Sequence, residues 1–206
     1  MAFKPMLAAI LVLMTLAGCA MAVEEPAFKE VSRDGAFEVR DYPALVAAEV
    51  TVAGAQKEAA SKGFRLLAGY IFGANKRRQG IAMTAPVGQQ AASEKIAMTA
   101  PVAQTENAAG TWLVRFTMPS TYSLQTLPTP DDARVKLRTI APARFAVLRF
   151  SGLAQPGDVA EKSKQLLAWV KSHGLRATGS VILAQYNPPW TVWFLRRNEV
   201  MVEVDR

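Results

Sequence analysis

The chain has 206 residues, one cysteine, one histidine and a formal net charge of +7 at pH 7. A single cysteine excludes an intrachain disulfide. Because the chain also has only one histidine, a zinc site built from His and Cys ligands is excluded as well. Hydrophobic residues make up 50% of the chain, which is enough for one domain with a substantial core. The basic residues are scattered apart from Lys76–Arg78 and Arg196–Arg197. That distribution favours a solvated surface, or attraction to anionic groups, over nucleic-acid binding.

The N-terminus predicts an export signal. Lys4 precedes an apolar run over residues 6–16, which is too short to span a bilayer as a finished helix. Residues 16–19, LAGC, resemble a bacterial lipobox, in which the cysteine becomes the lipidated first residue. We therefore predict a signal peptide over residues 1–18, lipidation of Cys19, and a lipid-anchored protein on the periplasmic side of the cell envelope, with the outer membrane as the expected location. Cleavage after AMA, residues 20–22, is the alternative and would give a soluble periplasmic protein.

After an extended anchor and linker over residues 19–35, the first half of the chain predicts two strands and a helix. Phe37–Tyr42 alternates apolar and polar residues, Pro43 interrupts the pattern, and Leu45–Val52 is rich in Val and Ala. We expect these two strands to form a hairpin. Residues 55–72 predict a helix that ends at Gly73–Asn75. One helix face, expected to be buried, carries Ala60, Phe64, Leu67 and Ile71.

The heptapeptide IAMTAPV occurs at residues 81–87 and again, unchanged, at residues 96–102. Each copy alternates as a strand does, and the linker between them is polar, so we predict two neighbouring strands joined by a loop. Met83 and Met98 are then expected in comparable core environments. Residues 112–118 alternate again and predict a further strand.

The second half repeats this order. Strands are predicted at residues 135–140, 145–150, 180–186 and 199–204, and a helix at Asp158–Ser172. Asp158 is the expected N-cap of that helix, and its buried stripe is expected to comprise Val159, Leu166, Leu167 and Val170. The pattern predicts an α+β domain: a distorted β-barrel or curved sheet of two pseudo-repeated strand–strand–helix–strand halves with two outer helices.

Catalytic motifs are absent from the sequence. It contains no G-x-S-x-G elbow, no phosphate-binding loop and no dinucleotide fingerprint, and His173 lies at the expected end of the second helix. We predict that the protein is not an enzyme. Methionines and aromatic residues are placed instead where they could contact a flat apolar ligand, although such residues are also typical of a core.

Several motifs together resemble the SOUL/heme-binding protein family. They span about residues 36–204: FEVRDY at 37–42, FRLL at 64–67 leading to YIFGAN at 70–75, IAMTAPV at 81–87, FTMP at 116–119, YNPPW at 186–190 and RRNEV at 196–200. The resemblance marks residues 36–206 as the heme-binding domain. It implies a distorted barrel of two similar halves and the binding of heme or other tetrapyrroles.

The resemblance also implies a ligand groove between the first helix and the loop before the last strand. Carried onto this chain, the groove residues are Phe64, Leu67, Ala68 and Ile71 on the helix, and Tyr186, Pro188, Pro189 and Trp190 on the loop. Lys62 and Arg65 would face the ligand propionates. Residues 54–62 contain no histidine, where some family members have an iron ligand. Binding is therefore expected to rest on apolar contact, or on Tyr70, Tyr186 or a methionine.

Two other functions compete with a tetrapyrrole-binding envelope protein that buffers or transfers heme. One is an envelope module that binds a different amphipathic small molecule, because the predicted fold is similar to the effector-binding domains of some transcription regulators. The other is an interaction protein that binds no small molecule.

Overall fold

The computed structural model describes residues 23–77, 93–108 and 110–205. Within these ranges the α+β prediction is confirmed, since an antiparallel nine-stranded sheet carries two helices and a two-stranded ribbon lies beside it. The helices are α1 (Gln56–Ile71) and α2 (Pro156–Ser172). The strands are β1 (Lys29–Asp34), β2 (Phe37–Tyr42), β3 (Leu45–Ala53), β4 (Asn75–Lys76), β5 (Val102–Ala108), β6 (Thr111–Thr117), β7 (Thr129–Pro130), β8 (Lys136–Ile140), β9 (Ala143–Ser151), β10 (Ile182–Gln185) and β11 (Arg197–Val204).

The sheet has the order β1-β2-β9-β11-β10-β5-β6-β3-β8, which is nearly symmetric about the β10–β5 pair. The predicted hairpin between residues 37–42 and 45–52 is wrong: β2 pairs with β1 and β9, whereas β3 pairs with β6 and β8. Each half therefore contributes its first strand to the other half. Alternation predicts which face of a strand is buried but does not identify its partner.

Helix α1 packs on β3 and β6 through Ala59, Gly63, Leu67, Tyr70 and Ile71. A Cβ atom on Gly63 would lie 2.5 Å from Cγ2 of Val114, so this glycine permits the close approach of helix and sheet. The predicted buried face is correct at Leu67 and Ile71, but Phe64 is 37% exposed. The contact at Gly63 rotates the buried stripe away from Phe64.

Helix α2 begins after Gln155 and packs on β9 and β11. The prediction of Asp158 as the N-cap is wrong, because Asp158 lies one turn in and its Oδ2 accepts a hydrogen bond from the Gln155 backbone N–H at 3.3 Å. Leu166 and Val170 are buried as predicted, whereas Leu167 is exposed.

The second IAMTAPV copy is not a strand over most of its length. Residues 93–98 have no regular structure, the Ala100–Pro101 peptide is cis, and β5 begins only at Val102. Met98 is half-buried against the core beneath α1, so its predicted core position is confirmed, and Met118 is buried in the same core. The first copy, with Met83, lies outside the described residues, as do the predicted signal peptide and Cys19.

The buried side chains fall into three clusters that define two faces of the sheet. One cluster lies under α1 and includes Leu67 and Phe116, and a second lies under α2 and includes Leu166 and Val200. The third contains Val147, Ala184 and Met201, which alternate with residues under the helices and therefore point to the opposite side. We call this side the open face. Among the described residues, neither helix has the length and hydropathy needed to cross a membrane.

Candidate ligand-binding site

The connection from β10 to β11, residues 187–196, exposes a run of apolar side chains. We call it the aromatic loop. Trp190 is 83% exposed and Trp193 is 58% exposed. The other exposed large apolar side chains of the loop are Val192, Phe194 and Leu195. A contiguous exposed apolar patch of this kind is typical of a binding surface.

The backbone of the aromatic loop is held by its own polar groups. Arg196 donates from Nε to the Thr191 carbonyl oxygen at 2.8 Å and from Nη2 to the Pro189 carbonyl oxygen. The Arg197 backbone N–H donates to Oδ1 of Asn187 at 2.6 Å. These bonds pair backbone N–H and carbonyl groups in and next to the loop with side chains of the loop and hold the backbone in place. The aromatic side chains of the loop face solvent.

A cavity of about 420 Å³ adjoins the aromatic loop. Its apolar walls include Trp193 from the loop, Phe150 at the end of β9, and Leu153. The start of α2 contributes Asp158, Glu161 and Lys162 to the rim. The volume lies within the range of roughly 300–1,000 Å³ that is usual for small-molecule pockets.

The α1 residues predicted to bind the ligand have different environments. Leu67 and Ile71 are core residues with almost no exposed surface, and Ala68 is half-buried. Phe64 presents one side to solvent and packs edge-on against Phe116, with ring centroids 5.4 Å apart. Lys62 and Arg65 are exposed, and Nζ of Lys62 pairs with Glu58 at 2.7 Å. Only the outer side of α1 is therefore open to a ligand.

Tyr186 lies on the open face, and not with α1. It packs with Val147, Ala184 and Met201, whereas α1 covers the other side of the sheet. Pro188, Pro189 and Trp190 are exposed on the aromatic loop. The structure thus divides the predicted site residues between α1, the aromatic loop and the open face.

The tyrosines considered as iron ligands are engaged as hydrogen-bond donors. The Tyr186 hydroxyl donates to Oε2 of Glu199 at 2.7 Å, and burial beside that carboxylate raises the pKa of Tyr186. The Tyr70 hydroxyl is buried and donates to the Pro128 carbonyl oxygen at 2.9 Å. A raised pKa works against the phenolate form that would ligate iron. His173 lies at the other end of α2 from the aromatic loop, stacked on Trp169 with centroids 4.1 Å apart.

No metal cluster accompanies these residues. Across the ranges 23–77, 93–108 and 110–205, no group of three or more His, Cys, Asp or Glu side chains is placed to hold an ion.

The resemblance did not identify several residues of the site. Val192 and Leu195 could have been found from the run TVWFL, residues 191–195, which follows a Pro-Pro turn and is too apolar for an ordinary loop. Phe150 and Leu153 carried no such signal, because their place beside the loop depends on the pairing of β9 with β11.

The charged residues of the open face are the other feature that the sequence did not predict. Arg40 donates to both carboxylate oxygens of Glu199, at 2.8 and 3.0 Å, and to Glu38 at 2.6 Å. Burial opposes the charge on Arg40, but the bonds to Glu199 and Glu38 outweigh it and raise the pKa of Arg40. Burial likewise opposes the Glu199 charge, and the bonds from Arg40 and Tyr186 still lower the pKa of Glu199.

Comparison with known proteins defines the class. A family model described as SOUL heme-binding protein matches residues 23–203. The chain is also similar to Heme-binding protein 1 of Xenopus tropicalis, with 26% identity over 176 residues that cover 81% of this chain and 87% of the relative. This chain belongs to the SOUL heme-binding family, as its motifs predicted.

Solved structures share the fold. The EcmrR C-terminal domain superimposes with a TM-score of 0.56 at 11% identity, over 82% of this chain and 97% of that one. A hydrolase from Listeria innocua superimposes with a TM-score of 0.52 at 12% identity, over 85% of this chain and 94% of that one. At these identities the likeness shows the fold alone.

Proposed function

We propose that this protein binds heme or a related tetrapyrrole non-covalently, at the aromatic loop and the cavity beside it. The observation that carries the proposal is the set of exposed apolar side chains, led by Trp190 and Trp193, on a loop whose backbone is held in place. Membership of a heme-binding family supports this ligand over other flat apolar molecules.

The site suits a flat ring system. Indole and phenyl faces stack on extended π-systems, and Trp193 and Phe194 form an edge-to-face pair with centroids 5.5 Å apart. A tetrapyrrole resting on the loop would place one edge in the cavity between Trp193 and Phe150. Apolar contact over such an area can support binding without an axial iron ligand.

Charge at the rim helps to orient the ligand. Lys162 is the cation there, whereas Asp158 and Glu161 are anionic and would repel propionates. We therefore place the apolar edge of the ring in the cavity and the propionates toward solvent or Lys162. The exposed site suits a protein that takes up and releases its ligand, in a buffering or transfer role and not as a catalyst.

We also propose that the domain acts at the cell envelope, held by a lipid on Cys19. The LAGC sequence at residues 16–19 supports this location. The chain would then present its ligand site on the periplasmic side of a membrane that it does not span.

The first prediction concerns heme affinity. Titration of hemin into the purified chain, followed by absorbance in the Soret region, is expected to show saturable one-to-one binding. Trp193→Ala should weaken binding by about tenfold or more, because a buried aromatic contact is typically worth over 1 kcal/mol. Trp190→Ala should also weaken binding. Phe64→Asp tests whether the outer side of α1 contributes to heme binding.

Leu167→Ala is the matched control, because it removes an exposed apolar side chain from α2 at a position outside the cavity lining. Its affinity should equal that of the wild type. Iron-free protoporphyrin IX should bind within a few-fold of hemin, because the proposal uses no iron ligand. Linear, unsaturable uptake of hemin that is the same in all variants would show non-specific adsorption and would contradict the proposal.

The second prediction concerns the anchor. Cys19→Ser should move the protein from the membrane fraction to the soluble periplasmic fraction of expressing bacteria, because the thiolate that receives the lipid is lost. The readout is the distribution of the chain between fractions, together with a labelled fatty acid. A wild-type chain without label, already soluble, would favour cleavage after residue 22 instead.

A further inference from the structure

A second cavity lies on the open face, whereas the cavity beside the aromatic loop lies on the α2 side of the sheet. Residues 24–28 contribute Glu25, Pro26 and Phe28 to the lining of the open-face cavity. We call this segment the strap. The cavity measures about 90 Å³, and its walls are mostly apolar and aromatic: Phe28, Tyr42, Phe145, Ile182, Tyr186 and Met201. An apolar cavity of about 150 Å³ holds a benzene ring. With the strap in place the open-face cavity is smaller than that, and Phe28 of the strap forms part of its wall.

One cation beside the cavity has a donor that the buried carboxylates do not use. Arg40 and Arg197 both bond Glu199, and Arg40 also bonds Glu38. The Glu199 carboxylate receives bonds from Arg40, Tyr186 and Arg197, so it has no capacity left for a cationic ligand. Nη1 of Arg197 faces away from Glu199 and is the donor open to a second anion.

The strap supplies that anion and also a ring. Both carboxylate oxygens of Glu25 accept from Nη1 of Arg197, at 3.1 and 3.0 Å. The Phe28 ring lies 5.4 Å from the Tyr42 ring, and the Arg40 guanidinium sits over it at 4.4 Å. One carboxylate and one aromatic ring therefore occupy positions that favour both groups.

The strap is held to the rest of the fold by contacts of Glu24, Glu25 and Phe28, and not by a strand ladder. Its residues form no regular strand, and most of them are exposed. At its start, the Glu24 carbonyl oxygen accepts from the Ala100 N–H at 2.9 Å and the Glu24 side chain accepts from the Ser120 N–H at 2.8 Å. A segment held by local contacts and by no strand ladder opens at a lower free-energy cost than the strands beneath it.

We infer that the open-face cavity is a binding site for small aromatic monocarboxylates, which displace Glu25 from Arg197 and Phe28 from Tyr42 and Arg40. The ligand carboxylate takes the two-oxygen contact on Arg197, and its ring takes the place of Phe28. This site is separate from the tetrapyrrole site, and its ligand is a different class of molecule.

The test is calorimetric titration of the full chain with 3-phenylpropionate, which carries one ring and one carboxylate. Glu25→Gln removes the competing carboxylate from an exposed position and should tighten binding about tenfold, the equivalent of one charged hydrogen bond. Glu30→Gln is the matched control, since Glu30 is an exposed strand carboxylate that pairs with Arg33 outside the cavity lining. Its affinity should equal that of the wild type.

Two further measurements sharpen the result. The neutral analogue 3-phenylpropanamide should bind at least tenfold more weakly than the acid, because it cannot satisfy Arg197 as a carboxylate does. Saturating hemin should leave the affinity for 3-phenylpropionate unchanged, and Trp193→Ala should do the same. Failure of heme binding would thus leave this inference standing.

Three outcomes would overturn the inference. The first is an absence of saturable binding to Glu25→Gln, the variant with the site unblocked. The second is equal affinity for the acid and the amide. The third is competition by hemin, which would assign the open-face cavity to the tetrapyrrole.

Discussion

Arg40→Met is expected to lower the free energy of unfolding by about 3 kcal/mol, at the lower end of the range for breaking a buried ion pair. Arg40 is 2% exposed and Glu199 is fully buried. The substitution keeps most of the side-chain volume but leaves Glu199 with only Arg197 and Tyr186 as partners, and it leaves Glu38 with Arg33. Chemical denaturation monitored by fluorescence measures the change.

The control is Arg144→Met on the neighbouring strand. Arg144 pairs with Asp41 at 2.8 Å, but both side chains are partly exposed, so its loss should cost about 1 kcal/mol or less. Adding Glu38→Gln and Glu199→Gln to Arg40→Met should recover part of the lost stability, because the uncompensated charges disappear. If Arg40→Met cost no more than Arg144→Met, the network on the open face would have no special stabilising role.

Asn75→Ala is expected to destabilise the fold by about 3 kcal/mol, because it removes three hydrogen bonds to backbone groups of Tyr70 and Glu94. Asn75 is buried, and its Nδ2 donates to the carbonyl oxygens of Tyr70 at 2.6 Å and Glu94 at 2.8 Å. Its Oδ1 accepts from the Glu94 N–H at 3.0 Å. The side chain therefore joins the end of α1 to residues 93–96, and denaturant unfolding reports its loss.

Two variants separate this role from a general effect of substitution. Asn75→Asp retains the acceptor for Glu94 but replaces the donor with an anion that faces two carbonyl oxygens, so it should be at least as harmful as alanine. Asn107→Ala alters an exposed asparagine on β5 and should change stability by less than about 0.5 kcal/mol. Equal stability of the Asn75 and Asn107 variants would contradict the proposed role.

The burial of residues on α1 shows how much the local spacing of apolar residues can predict. The spacing of apolar residues predicted α1 and placed Leu67 and Ile71 correctly in the core. It also placed Phe64 there, and the structure does not, because Gly63 lets the helix approach Val114 closely and turns Phe64 outward. A glycine contributes nothing to a hydrophobic stripe, so its role as the closest contact is visible only when the partner strand is known.

The candidate site also has one part that the sequence predicted and one part that depends on the tertiary structure. YNPPW and RRNEV marked the aromatic loop through family resemblance, and the run at residues 191–195 is apolar enough to stand out. The companions of the loop, Phe150 and Leu153, come from the end of β9 and the chain after it, and they lie beside the loop only because β9 pairs with β11.

Local periodicity and turn chemistry were enough to specify the two helices, most strands of both halves and the α+β class, because they depend on neighbours along the chain. They did not predict β1, and they placed a strand at residues 96–102 where β5 begins only at Val102. Family motifs were enough to identify the SOUL heme-binding family. The pairing of β2 with β9 and of β8 with β3 could not be predicted from the sequence. Pairing joins strands that are distant along the chain, and several strands have similar patterns. The burial of Arg40 and Glu199 could not be predicted either, because both residues alternate with core residues along their strands and would ordinarily face solvent. They are buried because β2 and β11 are brought to the same face of the sheet, where Arg40 and Glu199 supply each other with the opposite charge that makes burial tolerable.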